Sequence, residues 1–156
     1  MSQVTVTVSS KIQASAAVAY TILSDYHHHR QILPPKFFTG LDIVEGGVGE
    51  GTRFTLHAMA FGGKTQMHMT VTEPQPGAVL VERDVDTGLV TTFTVKPIGD
   101  NESQVTFETV WQPQPGLKGW LDGRISPFFM RMVYRQEMKI LNAYAQEQIR
   151  LNGLAA

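Results

Sequence analysis

The sequence contains no cysteine among its 156 residues. Disulfide bonds, thiol chemistry and cysteine-ligated zinc are therefore excluded. A basic excess is missing as well, because 13 lysine and arginine residues stand against 14 acidic residues and the formal charge is −1. Recognition of nucleic acid needs a clustered excess of positive charge. We therefore expect no nucleic-acid partner.

Long apolar runs are also missing. No uninterrupted stretch approaches the roughly 20 apolar residues that a helix needs to span a bilayer. The opening letters, MSQVTVTVSS, lack a basic start followed by an apolar run, so they predict no signal peptide. The length is typical of one domain. We therefore expect one domain over residues 1–156, located in the cytoplasm and without integral membrane association.

Hydrophobic spacing predicts strands in the middle of the chain and a helix at its end. The letters VTVTVSS alternate valine with polar residues, which is the period of a half-buried strand. Ser15 is a predicted N-cap for the helix that follows. The apolar face of that helix comprises Val18, Ile22, Leu23 and Tyr26. Residues 37–111 are predicted to form strands and turns, and residues 117–152 to be mainly helical, with Pro127 at a helix start.

One predicted hairpin turns at two consecutive glycines, Gly62 and Gly63. That turn places Leu56 opposite Met69 on a face whose other pairs are also apolar. On the second face it places a histidine at position 57 opposite a histidine at position 68. The agreement between faces predicts which side of these strands is buried.

The letters VLVERDV raise a question about the next hairpin, because the apolar alternation places Arg83 on the buried face. A three-residue turn pairs Val81 with Phe93 and places Arg83 opposite Thr91. The following hairpin pairs Thr91 with Thr109. The predicted inward row is therefore Arg83, Thr91 and Thr109, with one positive charge on an otherwise apolar wall.

The last helix carries one apolar stripe at 3.6 residues per turn. Its members are Met130, Tyr134, Met138, Leu141, Ala145 and Ile149. Glu137 lies inside that stripe. A lone charge buried in an apolar wall is costly unless it is paired. Two interpretations stay open. Either Arg83 and Glu137 pair across the interior or Arg83 extends to the edge of the sheet, or Arg83 binds a carboxylate or carbonyl oxygen of a ligand.

Histidines occur in two groups that could suggest a metal site. Successive helical residues point about 100° apart, so His27, His28 and His29 do not converge on one ion, and we expect a solvated helix end. His57 and His68 share a face with threonines, which favours surface histidines over ligands. We therefore predict no metal and no cofactor.

The order of elements resembles the START-like superfamily, also called SRPBCC, and within it the polyketide cyclase/dehydrase-like branch. VSSKIQASAAVAYTILSDYHHH is similar to that family's opening strand and helix, and VEGGVGEGTRF to its glycine-rich second hairpin. VTEPQPGAVLVE is similar to its following strand pair, and GLKGWLDGRISPFFMRMVYRQEMKILNAY to its closing helix. The resemblance implies an α+β helix-grip fold. In that fold a curved antiparallel sheet of about seven strands wraps around a long C-terminal helix, with two short helices between the first two strands.

The resemblance and the predicted faces together indicate a cavity between the sheet and the last helix. We expect it to bind a hydrophobic small molecule: a lipid, a polyketide or an aromatic metabolite. The predicted ligand-binding residues are Arg83, Thr91, Thr109, Leu56, Met67, Met69, Val81, Phe93, Phe107, Trp111, Tyr134, Glu137, Met138 and Leu141.

Two alternatives stay open. One is a polyketide cyclase or dehydratase that uses the same cavity, with Glu137 or Tyr134 moving a proton. The other is a protein-interaction module without a ligand. The family supplies no universal catalytic motif, so no catalytic residue is assigned, and the sequence leaves the ligand, the pathway and the oligomeric state open.

Overall fold

The computed structural model describes residues 3–60, 63–112 and 127–152. In chain order the elements are β1 (Val4–Ile12), α1 (Ala16–Ser24), α2 (Tyr26–Ile32), β2 (Phe38–Glu45), β3 (Arg53–Ala60), β4 (Gly63–Gln75), β5 (Val79–Asp84), β6 (Val90–Gly99), β7 (Glu102–Trp111) and α3 (Pro127–Asn152). The strands form one antiparallel sheet in the order β1-β7-β6-β5-β4-β3-β2. The predicted helix-grip fold is confirmed. The first predicted helical residues of the last segment, 117–126, lie outside the described residues.

Local signals explain where the helices begin. The Ser15 hydroxyl accepts a hydrogen bond from the Val18 N–H at 3.2 Å and so caps α1, as predicted. The Asp25 carboxylate accepts one from the His27 N–H at 3.0 Å and caps α2. Pro127 is the first residue of α3, where its missing N–H costs no helical hydrogen bond.

The long helix α3 packs across β1 and contacts both short helices. Its predicted apolar stripe is confirmed at the centre, where Met138, Leu141 and Ala145 are buried. Glu137 is buried beside them and is only 3% exposed. Within the described parts of the chain, no helix combines the length and the apolar character needed to cross a membrane.

The register of two hairpins bears on the position of the cavity. The β6–β7 register is confirmed, because Phe93 lies opposite Phe107 and Thr91 opposite Thr109. The predicted β3–β4 register is wrong by two residues, because Gly63 pairs with Ala60 as the first residue of β4 and does not belong to the turn. A shift of two residues keeps every side chain on its predicted face.

The same two-residue shift changes which side chains are neighbours across β3 and β4. Leu56 lies opposite Met67, where Met69 was expected. His57 and His68 are not opposite each other, since His57 pairs with Gln66 and His68 with Thr55.

The predicted β5–β6 register is wrong by one residue, and this error has the larger consequence. The connecting loop holds four residues, because the Asp84 N–H donates to the Leu89 carbonyl at 2.9 Å and closes it one position earlier than expected. Arg83 therefore lies opposite Val90, and Val81 opposite Thr92. An odd shift turns every side chain of a strand to the other face.

The true inward face of β5 consists of Leu80, Glu82 and Asp84, which are 0%, 7% and 2% exposed. Arg83 is exposed on the outer face, so its predicted inward orientation is wrong. Glu82 takes the position opposite Thr91 that Arg83 was expected to occupy. The inward row exists, and it carries a carboxylate where a guanidinium was predicted.

Candidate functional site

A cavity of about 300 Å³ lies between the inner face of the sheet and the helices α2 and α3. Eight of the predicted ligand-binding residues line it: Leu56, Met67, Met69, Thr91, Phe93, Trp111, Tyr134 and Glu137. Apolar side chains that the sequence did not single out complete much of the lining, including Leu33, Phe37, Met130 and Val133. The described lining is therefore mainly apolar in area, and its polar side chains include the imidazole of His29 and the buried acids Glu82, Asp84 and Glu137.

The other six predicted residues lie outside this lining. Phe107, Thr109, Met138 and Leu141 are buried in the core. Phe107 supports the cavity indirectly, because its ring packs edge-on against those of Phe93 and Tyr134, with ring centroids 4.8 and 5.6 Å apart. Val81 and Arg83 lie on the outer face of β5, for the reason given by the register.

His29 is the central polar residue of the cavity, and the sequence interpretation missed it. It is 3% exposed, where a solvated helix end was expected for all three consecutive histidines. Its ring stacks on Tyr26 at 5.0 Å between centroids and meets Phe93 edge-on at 5.5 Å. The available signal was the spacing of Tyr26, His29 and Ile32, which places three buried residues on one face of α2.

The imidazole of His29 is held in one orientation by a helix end. Its Nδ1 lies 2.7 Å from the Leu23 carbonyl, in the last turn of α1, where carbonyls lack helical partners. A carbonyl only accepts, so Nδ1 carries the hydrogen. Nε2 is consequently the nitrogen left to contact other groups, and it lies 3.5 Å from Glu137 Oε1.

Glu82 is the second acidic group at His29. Its Oε1 lies 3.8 Å from His29 Nδ1 and accepts a hydrogen bond from the Tyr26 hydroxyl at 2.7 Å. Burial raises the pKa of Glu82, and this effect exceeds the lowering by His29 and by the Tyr26 hydrogen bond. Glu82 thus reaches the cavity from β5, while Tyr26 holds it from α2.

The pKa of His29 is also raised. Burial alone would lower this pKa, but the contact with Glu137 and the negative charges of Glu82 and Glu137 outweigh the effect of burial. The hydrogen bond to the Leu23 carbonyl raises the pKa further. We call His29, Glu82 and Glu137 the polar cluster. It holds one imidazole between two carboxyl groups in a buried site, which is an arrangement suited to storing and moving a proton.

A hydrogen-bonded chain of hydroxyl groups lies beside the polar cluster. Thr91 Oγ1 is 2.8 Å from Thr109 Oγ1, which in turn bonds to the Tyr134 hydroxyl. Burial raises the pKa of Tyr134 to about 12, so its hydroxyl stays protonated at neutral pH. The predicted threonine row is therefore present, and it positions Tyr134 at the cavity.

The remaining histidines each pair with a different group. His27, His57 and His68 contact the carboxylates of Asp25, Asp42 and Asp86 at 2.9, 2.8 and 2.6 Å. His28 Nδ1 lies 2.7 Å from the Tyr144 hydroxyl and links α2 to α3. Among the described residues, no group of three or more histidine and acidic side chains is arranged to hold a metal ion.

A model of the family described as polyketide cyclase / dehydrase and lipid transport matches residues 3–146 of the chain. No sequence among curated proteins matches it. The match extends from the first strand through most of α3, so it includes every described residue of the polar cluster.

Three solved structures illustrate the likeness in fold. The KanY protein superposes with a TM-score of 0.80 at 27% identity, over 94% of this chain and 99% of its own. The Zhui aromatase/cyclase from Streptomyces sp. R1128 gives 0.80 at 14% identity, over 97% and 99%. A START superfamily protein from Mycobacterium smegmatis gives 0.67 at 18% identity, over 92% and 97%. At identities of 14% and 18%, the last two matches establish a common fold and nothing more.

Proposed function

The chain belongs to the polyketide cyclase / dehydrase and lipid transport family, and we propose that it binds one small hydrophobic molecule between its sheet and α3. The cavity carries this proposal, because most of its described lining is apolar and the side chains of His29, Glu82 and Glu137 converge on one part of it. That combination is typical of small-molecule sites. A cytoplasmic location and a single functional domain over residues 1–156 stay parts of the proposal.

The size of the cavity narrows the ligand class. Ligand pockets commonly enclose about 300–1,000 Å³, so a volume of about 300 Å³ is at the small end. A molecule of one or two rings, or a short polyketide fragment, fits this volume better than a lipid with two acyl chains. Aromatic side chains such as Phe93 and Trp111 favour a flat, unsaturated ligand.

The polar cluster gives the ligand an orientation. Its carboxyl groups accept hydrogen bonds, and protonated His29 donates one from Nε2. A ligand with a carbonyl or hydroxyl group at one end therefore has a partner beside α2, while its apolar body contacts side chains such as Leu56 and Met67. The carboxylate-binding role first considered for Arg83 does not apply, because that side chain is on the outer face.

Catalysis of ring closure or dehydration is the second candidate function. The observation that favours it is the polar cluster, because a binding protein needs polar groups at its ligand but does not need a buried imidazole between two acids. A pure interaction module is less well supported, since such a protein has no use for an open cavity in its interior.

A fluorescent probe tests the binding proposal. N-phenylnaphthylamine is neutral, aromatic and bright only in apolar surroundings, so we expect its fluorescence to rise saturably with the wild-type protein. Ala58→Phe puts a ring into the cavity that Ala58 lines and should weaken binding by about tenfold or more, because the volume is small. Arg83→Leu changes only the outer face of β5 and is the matched control.

The outcomes separate clearly. Saturable binding that Ala58→Phe weakens and Arg83→Leu leaves unchanged supports a ligand site between the sheet and α3. Absence of binding by the wild-type protein, or equal binding by Ala58→Phe, contradicts it. Native mass spectrometry of gently purified protein adds an independent measurement, since a retained ligand appears as a mass that denaturation releases.

A further inference from the structure

We propose that His29 and Glu137 act as an acid and base pair that moves a proton at the carbon beside a carbonyl group of the bound molecule. This inference rests on the proposed binding in the cavity and assigns a reaction to it. Both residues line the cavity, both are 3% exposed, and His29 Nε2 lies 3.5 Å from Glu137 Oε1. One ligand group can therefore contact both of them.

The orientation of His29 favours the role of acid. Its Nδ1–H is committed to the Leu23 carbonyl, so only Nε2 is available to a ligand. In the imidazolium form Nε2 donates a hydrogen bond to a ligand carbonyl and stabilises negative charge that develops on that oxygen. Glu82, 3.8 Å from Nδ1, supports the cation from the side away from Nε2.

The position of Glu137 favours the role of base. It is supplied by α3, where it lines the cavity together with Val133 and Tyr134, and it lies 3.5 Å from the same imidazole nitrogen that a ligand oxygen would contact. The Tyr26 hydroxyl donates a hydrogen bond to Glu82, whereas Glu137 contacts His29 Nε2, so the two carboxyl groups have different partners.

The reaction is a balanced proton transfer on a ketone that carries a hydrogen at the neighbouring carbon. Glu137 takes the carbon proton as the C–H bond breaks, and the bonding electrons move to the carbonyl oxygen. That oxygen takes the proton from His29 Nε2, which leaves an enol, a neutral imidazole and a neutral carboxylic acid. A proton that returns from Glu137 to His29 across their contact restores the pair, and no oxidant or cofactor takes part.

This enolisation is the first step shared by aldol ring closure and by loss of a β-hydroxyl group as water. The substrate class is therefore a small β-dicarbonyl or β-hydroxycarbonyl compound with an apolar or aromatic body. The groups that raise the pKa of His29 against burial are Glu137 from α3, Glu82 from β5 and the Leu23 carbonyl from α1, while Tyr26 from α2 lowers the pKa of Glu82 through its hydrogen bond.

A nitro-substituted benzisoxazole is a suitable probe, because it is small and flat and reports proton transfer from carbon directly. A base removes the ring C–H proton, the N–O bond breaks, and the ring oxygen leaves as a coloured nitrile-substituted phenolate. Glu137 is the expected base, and protonated His29 the group that stabilises the departing oxygen. We expect saturable turnover above the rate with acetate and imidazole in solution.

Variants assign the roles. Glu137→Gln should lower the rate by about 100-fold or more, and His29→Gln by about tenfold, since general acid–base groups each contribute factors of about 10²–10⁴ and assistance to a good leaving group contributes less. Arg83→Leu should retain the wild-type rate. Thermal melts check that each variant folds, and N-phenylnaphthylamine binding is measured on the same samples.

The pH profile of the wild-type protein keeps the inference testable if a variant does not fold. The proposed reaction needs protonated His29, whose pKa is raised by Glu137 and Glu82 against the lowering effect of burial, so the rate should fall as the pH rises through that pKa. A rate that only rises with pH, or turnover unchanged in folded Glu137→Gln, overturns the inference. Probe binding without turnover overturns it and leaves the binding function intact, whereas absence of probe binding contradicts the proposed function itself.

Discussion

Two tyrosine–glutamate pairs join the first two helices to the sheet, and they differ in what surrounds the carboxyl group. Tyr20 of α1 donates to Glu73 of β4 at 2.6 Å, and Tyr26 of α2 donates to Glu82 of β5 at 2.7 Å. Burial and the neighbouring carboxylates raise the pKa of both tyrosines, so both hydroxyls are donors at neutral pH. The hydrogen bonds themselves are nearly identical.

The surroundings separate a structural pair from a functional one. Glu73 is half-buried, and its second oxygen accepts the Glu50 N–H at 2.8 Å under the glycine-rich turn. The second pair lies at the cavity, where Glu82 has a titratable neighbour, His29. The Glu73 carboxylate contacts a tyrosine hydroxyl and one backbone N–H, whereas Glu82 lies beside a buried imidazole with which it can exchange a proton.

The substitution with the largest expected effect disrupts the Tyr20–Glu73 pair. Gly49 has φ +65°, and a Cβ at this position would collide with Glu73 Oε1. We expect Gly49→Ala to lower the free energy of unfolding by about 2–4 kcal/mol, since it combines backbone strain with loss of the Glu73 contacts. Urea denaturation measures the loss.

A second glycine of the same turn provides the control. Gly51 also has a positive φ, +90°, but a Cβ there would meet nothing within 4 Å. Gly51→Ala should therefore cost only about 1–2 kcal/mol of backbone strain. Turnover of the benzisoxazole probe by the folded protein should be unchanged in both variants. Equal stability losses in the two variants would show that the Glu73 contact has no special importance.

The next largest effect is expected when the hydroxyl group of either tyrosine is removed. Tyr26→Phe removes a donor from buried Glu82 and should cost about 1.5–3 kcal/mol, because a buried carboxyl group is left without its hydrogen-bond partner. Tyr20→Phe should cost about 0.5–1.5 kcal/mol, since half-exposed Glu73 keeps the Glu50 N–H and gains water.

The same two variants can also be compared in the benzisoxazole reaction. Tyr26→Phe should shift the pH profile of benzisoxazole turnover, because the Tyr26 hydrogen bond holds down the pKa of Glu82 and Glu82 influences His29. Tyr20→Phe should leave that profile in place. A shift of equal size in both variants would mean that the two pairs do not differ in function.

How well the sequence predicts a position depends on whether the partners of that residue can be recognised from nearby positions or come from distant parts of the chain. The β6–β7 register was predictable, because pairs such as Phe93–Phe107 and Thr91–Thr109 match in character on one face. The β5 register was not, because Glu82 and Asp84 have the polarity of solvent-facing residues. Tyr26 satisfies Glu82 from 56 positions away in the sequence, and alternation along a single strand carries no sign of such a partner.

The polar cluster shows the same limit. Glu137 was found because it interrupts a regular apolar stripe, which is a local signal. His29 has an equally regular position between Tyr26 and Ile32, but two exposed or half-exposed histidines precede it and suggest a polar surface. Its burial depends on Leu23, Glu82 and Glu137, which come from three other elements.

The smallest effect we predict concerns the charge of Glu82 itself. Burial raises the pKa of this carboxyl above its ordinary value of 4.5, so the folded state holds the proton more tightly than the unfolded state. Below pH 4.5 both states are protonated, and Glu82 makes no difference to stability through its charge. As the pH rises through the raised folded-state pKa, the wild-type protein loses stability, because the folded state must accept an ionised buried acid.

Glu82→Gln keeps an acceptor for Tyr26 and cannot ionise, so its melting temperature should match that of the wild type in mild acid and exceed it at neutral and higher pH. The expected difference is about 2–4 °C, which corresponds to roughly 1 kcal/mol for a chain of this length. Exposed Glu108 of β7 supplies the control, since Glu108→Gln removes one charge without a buried site. Melting curves at several pH values measure both variants. A Glu82→Gln difference that shrinks as the pH rises would mean that Tyr26 and His29 stabilise the carboxylate more than burial opposes it, and Glu82 would then belong with Glu73 as a structural acid.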